Sequence, residues 1–143
     1  MDFQDKQYVI GIDLGTTNCA VSYVDVAALK EDRSTGRKPV EKKNLVKVFN
    51  VPQLTGHGEF TKIPVLPSFL YIPGKYDISK EVLKHPWKKR ADLFAGSFAR
   101  DHGSKIPSRL VSSAKSWLCN DKADRRAKIL PWGSEGFEKV SPV

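Results

Sequence analysis

A carboxylate, a glycine and two hydroxyls stand together near the start of the chain. Residues 8–18 read YVIGIDLGTTN, so that an apolar run ends at Asp13 and turns through Gly15 to Thr16 and Thr17. Glycine lets a backbone turn tightly and approach a ligand closely, and successive turn N–H groups form an anion-binding concavity. Threonine hydroxyls donate to phosphate oxygens, and Mg²⁺ binds few carboxylates and keeps several waters. These residue types predict a site for a phosphate and its metal ion, with a plain hairpin turn as the alternative.

Two strands are predicted to position this turn. Residues 8–13 and 18–24 both alternate in the way that a strand requires, and residues 14–17 have the length of a hairpin connection. Gly11 would lie on the same strand face as Asp13 and leave room beside it.

The remaining elements are read from β-formers, apolar periodicity and the glycines and prolines that interrupt them. Strands are predicted at 44–51 and 69–72, loops at 25–43 and 52–64, and a helix at 107–119. Residues 93–102 fit either a short strand and a short helix separated by Gly96 or one continuous helix, and residues 79–90 suggest an exposed connection. Because strands precede helices, we expect a mixed sheet with helices packed on it.

Composition narrows the classes of function. The chain has 143 residues and a formal net charge of +8, which suits one modest globular domain. Its basic residues are spread rather than interleaved with aromatics, so a solvated surface is favoured over a nucleic-acid interface. Cys19 and Cys119 form no C-x-x-C pair, and neither a signal peptide nor an apolar stretch long enough to cross a membrane occurs. A P-loop motif is absent as well.

Four segments, in order, carry a family resemblance. IGIDLGTTN resembles the first phosphate motif of the actin/Hsp70/sugar-kinase ATPase superfamily, in the form typical of the Hsp70 branch. Residues 63–68 and the strand after them resemble the Pro-Ser segment of Hsp70 proteins, residues 95–100 resemble their G-x-x-A-K motif, and residues 109–118 resemble the helix with their F-x-x-K-R segment. The resemblance favours a strand that ends and a helix that begins at Gly96.

The resemblance implies an α/β fold, a ribonuclease H-like (actin-like ATPase) subdomain with a mixed β-sheet and packed helices. It implies ATP or ADP with Mg²⁺ as cofactors. Asp13 matches the acid that organises the Mg²⁺ shell, and Gly15, Thr16 and Thr17 match the turn that contacts the phosphates. Asn18, placed with them among the nucleotide-binding residues, stands where many Hsp70 proteins have an aromatic.

Arg100 departs from the family pattern, which has a lysine that positions the attacking water and the γ-phosphate. Arginine keeps the positive charge of lysine and can donate two parallel hydrogen bonds to a phosphate, but it is bulkier than lysine. We expect slow hydrolysis if Arg100 is catalytic, and a surface arginine at a helix end is the alternative. Lys115 is expected to be a lysine of a helix surface or of lobe packing.

The second phosphate motif and the adenosine segment of the family do not occur in the sequence. Residues 1–143 are therefore expected to be a partial, incomplete N-terminal lobe of an Hsp70-like, cytoplasmic, ATP-binding chaperone, without the second lobe and the peptide-binding domain. ATP hydrolysis and the binding of unfolded polypeptides and co-chaperones would then be properties of the full-length protein. The fragment alone would be inactive. A sugar kinase or actin-like filament protein of the same superfamily and a basic nucleic-acid-binding module are the alternatives.

Overall fold

The computed structural model describes residues 7–34, 45–79 and 92–143. Its first element is the predicted hairpin, in which β1 (Tyr8–Leu14) pairs antiparallel with β2 (Asn18–Asp25). The register sets Asp13 opposite Ala20 and Leu14 opposite Cys19, so the turn lies between Leu14 and Asn18. The prediction of two strands and a short connection is confirmed, each strand being one residue longer than expected.

On its other side β2 pairs with two short strands, β3 (Lys47–Val48) and β6 (Val65–Pro67), to give a four-stranded sheet. The chain leaves β2 through helix α1 (Val26–Ser34). The Asp25 carboxylate accepts the N–H of Ala27 at 2.9 Å, which is how an aspartate begins a helix. The prediction of a loop over 25–43 is wrong for the helical residues, and residues 35–43 lie outside those described.

A two-stranded sheet follows, made of β4 (Val51–Leu54) and β5 (Phe60–Ile63). The predicted strand 44–51 is wrong in extent, because only β3 and the first residue of β4 are extended within its described part. The predicted loop 52–64 is wrong for residues 52–54 and 60–63, which are extended, and is confirmed for the connection 55–59. Pro52 lies inside β4, where the sheet has only one neighbouring strand, so its missing N–H costs no ladder bond on the outer edge.

The third sheet has the order β8 (Phe94–Ala95), β7 (Phe69–Tyr71) and β9 (Leu110–Ser112). Gly96 separates β8 from helix α2 (Ser97–Gly103), so a strand followed by a helix is confirmed and one continuous helix is wrong. Gly96 has a φ of +82°, and a Cβ there would lie 2.5 Å from Oε1 of Gln53. Of the predicted exposed connection, residues 80–90 lie outside the described ranges.

The predicted helix 107–119 is wrong over its first half. Pro107–Arg109 form a single 3-10 turn, Leu110–Ser112 form β9, and only Ala114–Leu118 form helix α3. β9 pairs with β7, setting Val111 opposite Leu70. That partner lies some forty residues earlier in the chain, so pairing with it overrides the local helical periodicity.

The apolar core lies around β7 and α2. One buried cluster contains Leu54, Tyr71, Ile78, Phe94, Phe98 and Ala99, and a second contains Ile72, Val111 and Leu130. No residue of β1 or β2 belongs to either cluster.

Every strand pair in the described residues is antiparallel. The mixed sheet and the actin-like fold expected from the resemblance stay predictions. Among the described helices, none has the length and apolar character needed to cross a membrane.

Candidate functional site

The turn between β1 and β2 cannot accept a side chain at Gly15. A Cβ at this position would lie 2.1 Å from the backbone oxygen of Asn18, a distance no real contact allows. Glycine is therefore required by the closeness of the two arms of the turn rather than by its φ angle. The sequence predicted a glycine that relieves backbone strain in the turn. The structure identifies the backbone oxygen of Asn18 as the atom that excludes a side chain there.

Ser68 donates hydrogen bonds to two carbonyl groups of the turn. Its hydroxyl donates to the carbonyl of Gly15 at 2.9 Å, and its backbone N–H donates to the carbonyl of Thr17 at 2.8 Å. The thiol of Cys19 lies 3.5 Å from the same hydroxyl. Ser68 follows β6, which pairs with β2, so the sheet itself delivers this serine to the turn.

Lys115 contacts the turn from helix α3. Its ammonium group donates to the carbonyl of Leu14, the last residue of β1. The sequence predicted a lysine of a helix surface or of lobe packing, and its exposed side chain does lie on such a surface. The contact with the strand end depends on the tertiary position of α3, which no local pattern shows.

The remaining groups of the turn are open to solvent. Thr16, Thr17 and Asn18 are all exposed. Within the described ranges, the backbone N–H groups of Thr16 and Thr17 donate to no acceptor, and neither hydroxyl is hydrogen-bonded. Carbonyl groups of the turn are therefore hydrogen-bonded within the described structure, while the donors of Thr16 and Thr17 are exposed to solvent.

Asp13 lies on the strand that leads into this turn. It is exposed, and it shares a sheet face with Val9 and Gly11. Its carboxylate makes no ion pair or hydrogen bond with residues 7–34, 45–79 or 92–143. The space predicted beside Asp13 at Gly11 is limited, because a Cβ on Gly11 would lie 3.0 Å from the hydroxyl of Ser22.

Arg100 is engaged elsewhere. It lies on α2, and its guanidinium donates to the Asp101 carboxylate at 2.7 Å, with both side chains about half exposed. Hydrogen bonding to Asp101 and its charge raise the pKa of the arginine above its ordinary value. Its role toward a γ-phosphate stays a prediction, since the described contacts of the side chain are with its own neighbour.

A cavity of about 430 Å³ opens behind the turn. Leu14, Gly15 and Cys19 form one wall, Lys115 and Leu118 form another, and most of the lining is apolar. Asp13, Thr16 and Thr17 are not part of this lining. The exposed donors of the turn and this cavity are therefore separate surfaces.

The donor set fits a phosphate with a weakly held metal ion. Two hydroxyls, two N–H groups and one carboxylate occur within five consecutive residues, and Mg²⁺ is commonly held by one or two carboxylates plus substrate phosphates. No group of three or more histidine, cysteine or acidic side chains able to hold a metal exists in the described part of the chain. Asp13 is the acidic side chain of this stretch that would hold the ion, through water as the resemblance implies.

Comparison with known proteins assigns no family to the chain. No protein-family model, no curated protein and no solved structure matches it. The resemblance to Hsp70 proteins stays a prediction from the motif residues.

Proposed function

We propose that the turn between β1 and β2 binds the phosphate groups of ATP or ADP together with Mg²⁺. The chain would contribute this turn to an ATPase of the Hsp70 type. One observation carries the proposal. The turn is fixed through its carbonyls by Ser68 and Lys115, while the hydroxyls and N–H groups of Thr16 and Thr17 remain exposed. Exposed N–H groups and hydroxyls on successive residues of a turn can form the concavity that binds an anion.

Mg²⁺ would neutralise phosphate charge beside Asp13. The carboxylate alone would repel a phosphate, so it favours binding only with the cation or its water between them. Thr16 and Thr17 would donate to phosphate oxygens. The role as a chaperone rests on the resemblance of the four motifs.

Nuclear magnetic resonance titration tests the phosphate site. We expect MgATP at millimolar concentration to shift the amide signals of Thr16 and Thr17, and adenosine to leave them unchanged, because only ATP carries phosphates. The variants Thr16→Val and Thr17→Val, which keep the side-chain shape and remove the hydroxyls, are titrated beside the parent to test the part played by the hydroxyls. Equal shifts with ATP and adenosine would contradict the proposal.

Arg100 is tested by hydrolysis. Since hydrolysis is expected of the full-length protein, the assay uses that protein. We expect its γ-phosphate release to rise in Arg100→Lys if residue 100 positions the attacking water, because lysine restores the compact charge that the family pattern carries. The control is Arg126→Lys, an exposed arginine in the loop after α3. Equal rates for the parent and Arg100→Lys would exclude a catalytic role for this side chain.

A further inference from the structure

Among the described residues, strand β1 forms an edge of its sheet. In the described residues it pairs with β2 alone, at the end of the sheet order β1, β2, β3. All seven of its residues are exposed, with Ile10, Ile12 and Leu14 at 61, 65 and 63%. An exposed apolar edge strand is a template on which another strand pairs, and stable monomers protect such edges with charged side chains, proline or a bulge. β1 contains no proline or bulge, and the charges on it are those of Asp13 and of Lys115, whose ammonium group donates to the carbonyl of Leu14 at the end of the strand.

The apolar surface continues from this edge across the sheet. Tyr8 and Ile10 line a groove of about 310 Å³ with Val21, Tyr23 and Phe49. On the other face Val9 and Val48 are also about half exposed. The exposed apolar surface therefore includes β1 and residues beside it on both faces of the sheet.

We propose that β1 pairs antiparallel with β1 of a second copy of this chain. The strand is self-complementary about Gly11. A two-fold axis there sets Ile10 opposite Ile12 of the other copy and Tyr8 opposite Leu14, so apolar side chains meet apolar side chains on one face. The Tyr8–Leu14 pair at each end forms when Lys115 releases the Leu14 carbonyl. Gly11 faces itself at the axis, where the absence of a side chain lets the two strands approach.

Charge does not oppose this register. The strand carries a single charged residue, Asp13, which falls opposite Val9 of the other copy. The two Asp13 carboxylates would then lie about 14 Å apart along the strands, from four residues at 3.4 Å each, which exceeds the ~8 Å screening length at physiological salt. A second copy therefore fits the edge without a like-charge contact.

The pairing ends at Leu14, before the turn residues Gly15 to Thr17, but it includes Asp13, which the proposed function places beside Mg²⁺. The dimer is therefore measured without nucleotide or Mg²⁺. Each copy carries a formal charge of +8, so long-range repulsion weakens with salt and the dimer should strengthen between low and high ionic strength. Association through ion pairs would weaken instead.

Sedimentation equilibrium from about 1 to about 200 μM tests the dimer. We expect the parent chain to pass from monomer to dimer, and Ile12→Lys to raise the dissociation constant at least about tenfold, because a charged lysine on an edge blocks strand pairing. Tyr76→Lys is the control. It adds the same charge at an aromatic residue that is 86% exposed and outside every strand, and it should leave the dissociation constant unchanged.

A monomer at every concentration would overturn the proposal, and so would an Ile12→Lys chain that dimerises like its parent. Ile12 is 65% exposed, so the variant should fold, and its circular dichroism spectrum should match that of the parent.

Disulfide crosslinking tests the register itself. In a Cys119→Ser background, which removes an exposed thiol, Ile10→Cys chains are mixed with Ile12→Cys chains and oxidised. Directly opposed residues of an antiparallel pair have Cα atoms about 4.5–5.5 Å apart, within the range that a disulfide spans. We expect the mixed disulfide dimer to exceed either self-linked dimer. A dimer without this preference would place the interface elsewhere and overturn the proposed register.

Discussion

The region around α2 and the β1–β2 hairpin are stabilised in opposite ways. Around α2, Tyr71 and Ala99 are completely buried, and Phe98 stacks on His102 with ring centres 4.9 Å apart. In the hairpin, every residue of β1 is exposed, and the turn is held by hydrogen bonds from Ser68 and Lys115. The core therefore carries most of the buried packing, while the hairpin leaves its donors and its apolar edge exposed.

The largest expected effect is the difference in stability loss between truncating an apolar side chain in the core and truncating one in the hairpin. Phe98→Ala should lower the free energy of unfolding by about 3–5 kcal/mol, because it opens a cavity in the core. Ile12→Ala should cost less than about 1 kcal/mol, because the side chain is mostly in water already. Urea unfolding followed by circular dichroism, at a concentration where the chain is monomeric, measures both. Equal costs would mean that the hairpin is part of the core.

The next effect concerns a buried polar link inside the packed region. Oε1 of Gln53 accepts the backbone N–H of Ser97 at 3.1 Å and its hydroxyl at 3.0 Å, and Nε2 donates to the carbonyl of Val65 at 2.7 Å. Gln53→Ala should lower the free energy of unfolding by about 2–3 kcal/mol, since it leaves these groups unpaired in the interior.

The exposed Lys62 on β5, the partner strand of β4, is the control for Gln53. Lys62→Ala should change stability by less than about 0.5 kcal/mol. The same urea titration compares the two variants. A Gln53→Ala chain as stable as Lys62→Ala would show that the amide only fills space.

A smaller and more local effect is expected at the turn. Gly15→Ala forces the turn open, because its Cβ meets the Asn18 carbonyl, and we expect a cost of about 1–2 kcal/mol that is confined to the hairpin. Amide hydrogen exchange should accelerate at Ser68, whose N–H is bonded to the turn, and should not change in α2. Faster exchange in both places would mean that the two regions unfold as one unit.

Sequence patterns predicted what is encoded locally. Alternation and Gly15 were sufficient for the hairpin and its turn, and Gly96 marked the junction of β8 with α2. Leu110–Ser112 could not be assigned from their neighbours, because they are held as a strand by β7. For the same reason the donor set of Asp13 to Thr17 was predictable, whereas the supports from Ser68 and Lys115 were not, since each comes from a distant part of the chain.

The smallest expected effect is a pH dependence of the packed region. Nε2 of His102 is buried and has no hydrogen-bond partner in the described structure. Burial, followed by the charges of Lys105 and His57, lowers the pKa of His102 below 6.5, against an opposing effect of Asp77. The unfolded chain then binds more protons than the folded chain as the pH falls below about 6.5, so the free energy of unfolding decreases in that direction.

The cost between pH 7.5 and 5.5 should stay below about 1.4 kcal/mol for each pH unit, the limit for one proton. Asp77 does not interfere there, because its pKa is lowered from 3.8, so its contribution is lost only at more acidic pH. His102→Phe keeps an aromatic ring against Phe98 and removes the titrating group. Urea midpoints measured across this range should therefore fall less with acid in the variant than in the parent. An equal fall in both would show that another group causes the pH dependence and that the burial of His102 does not.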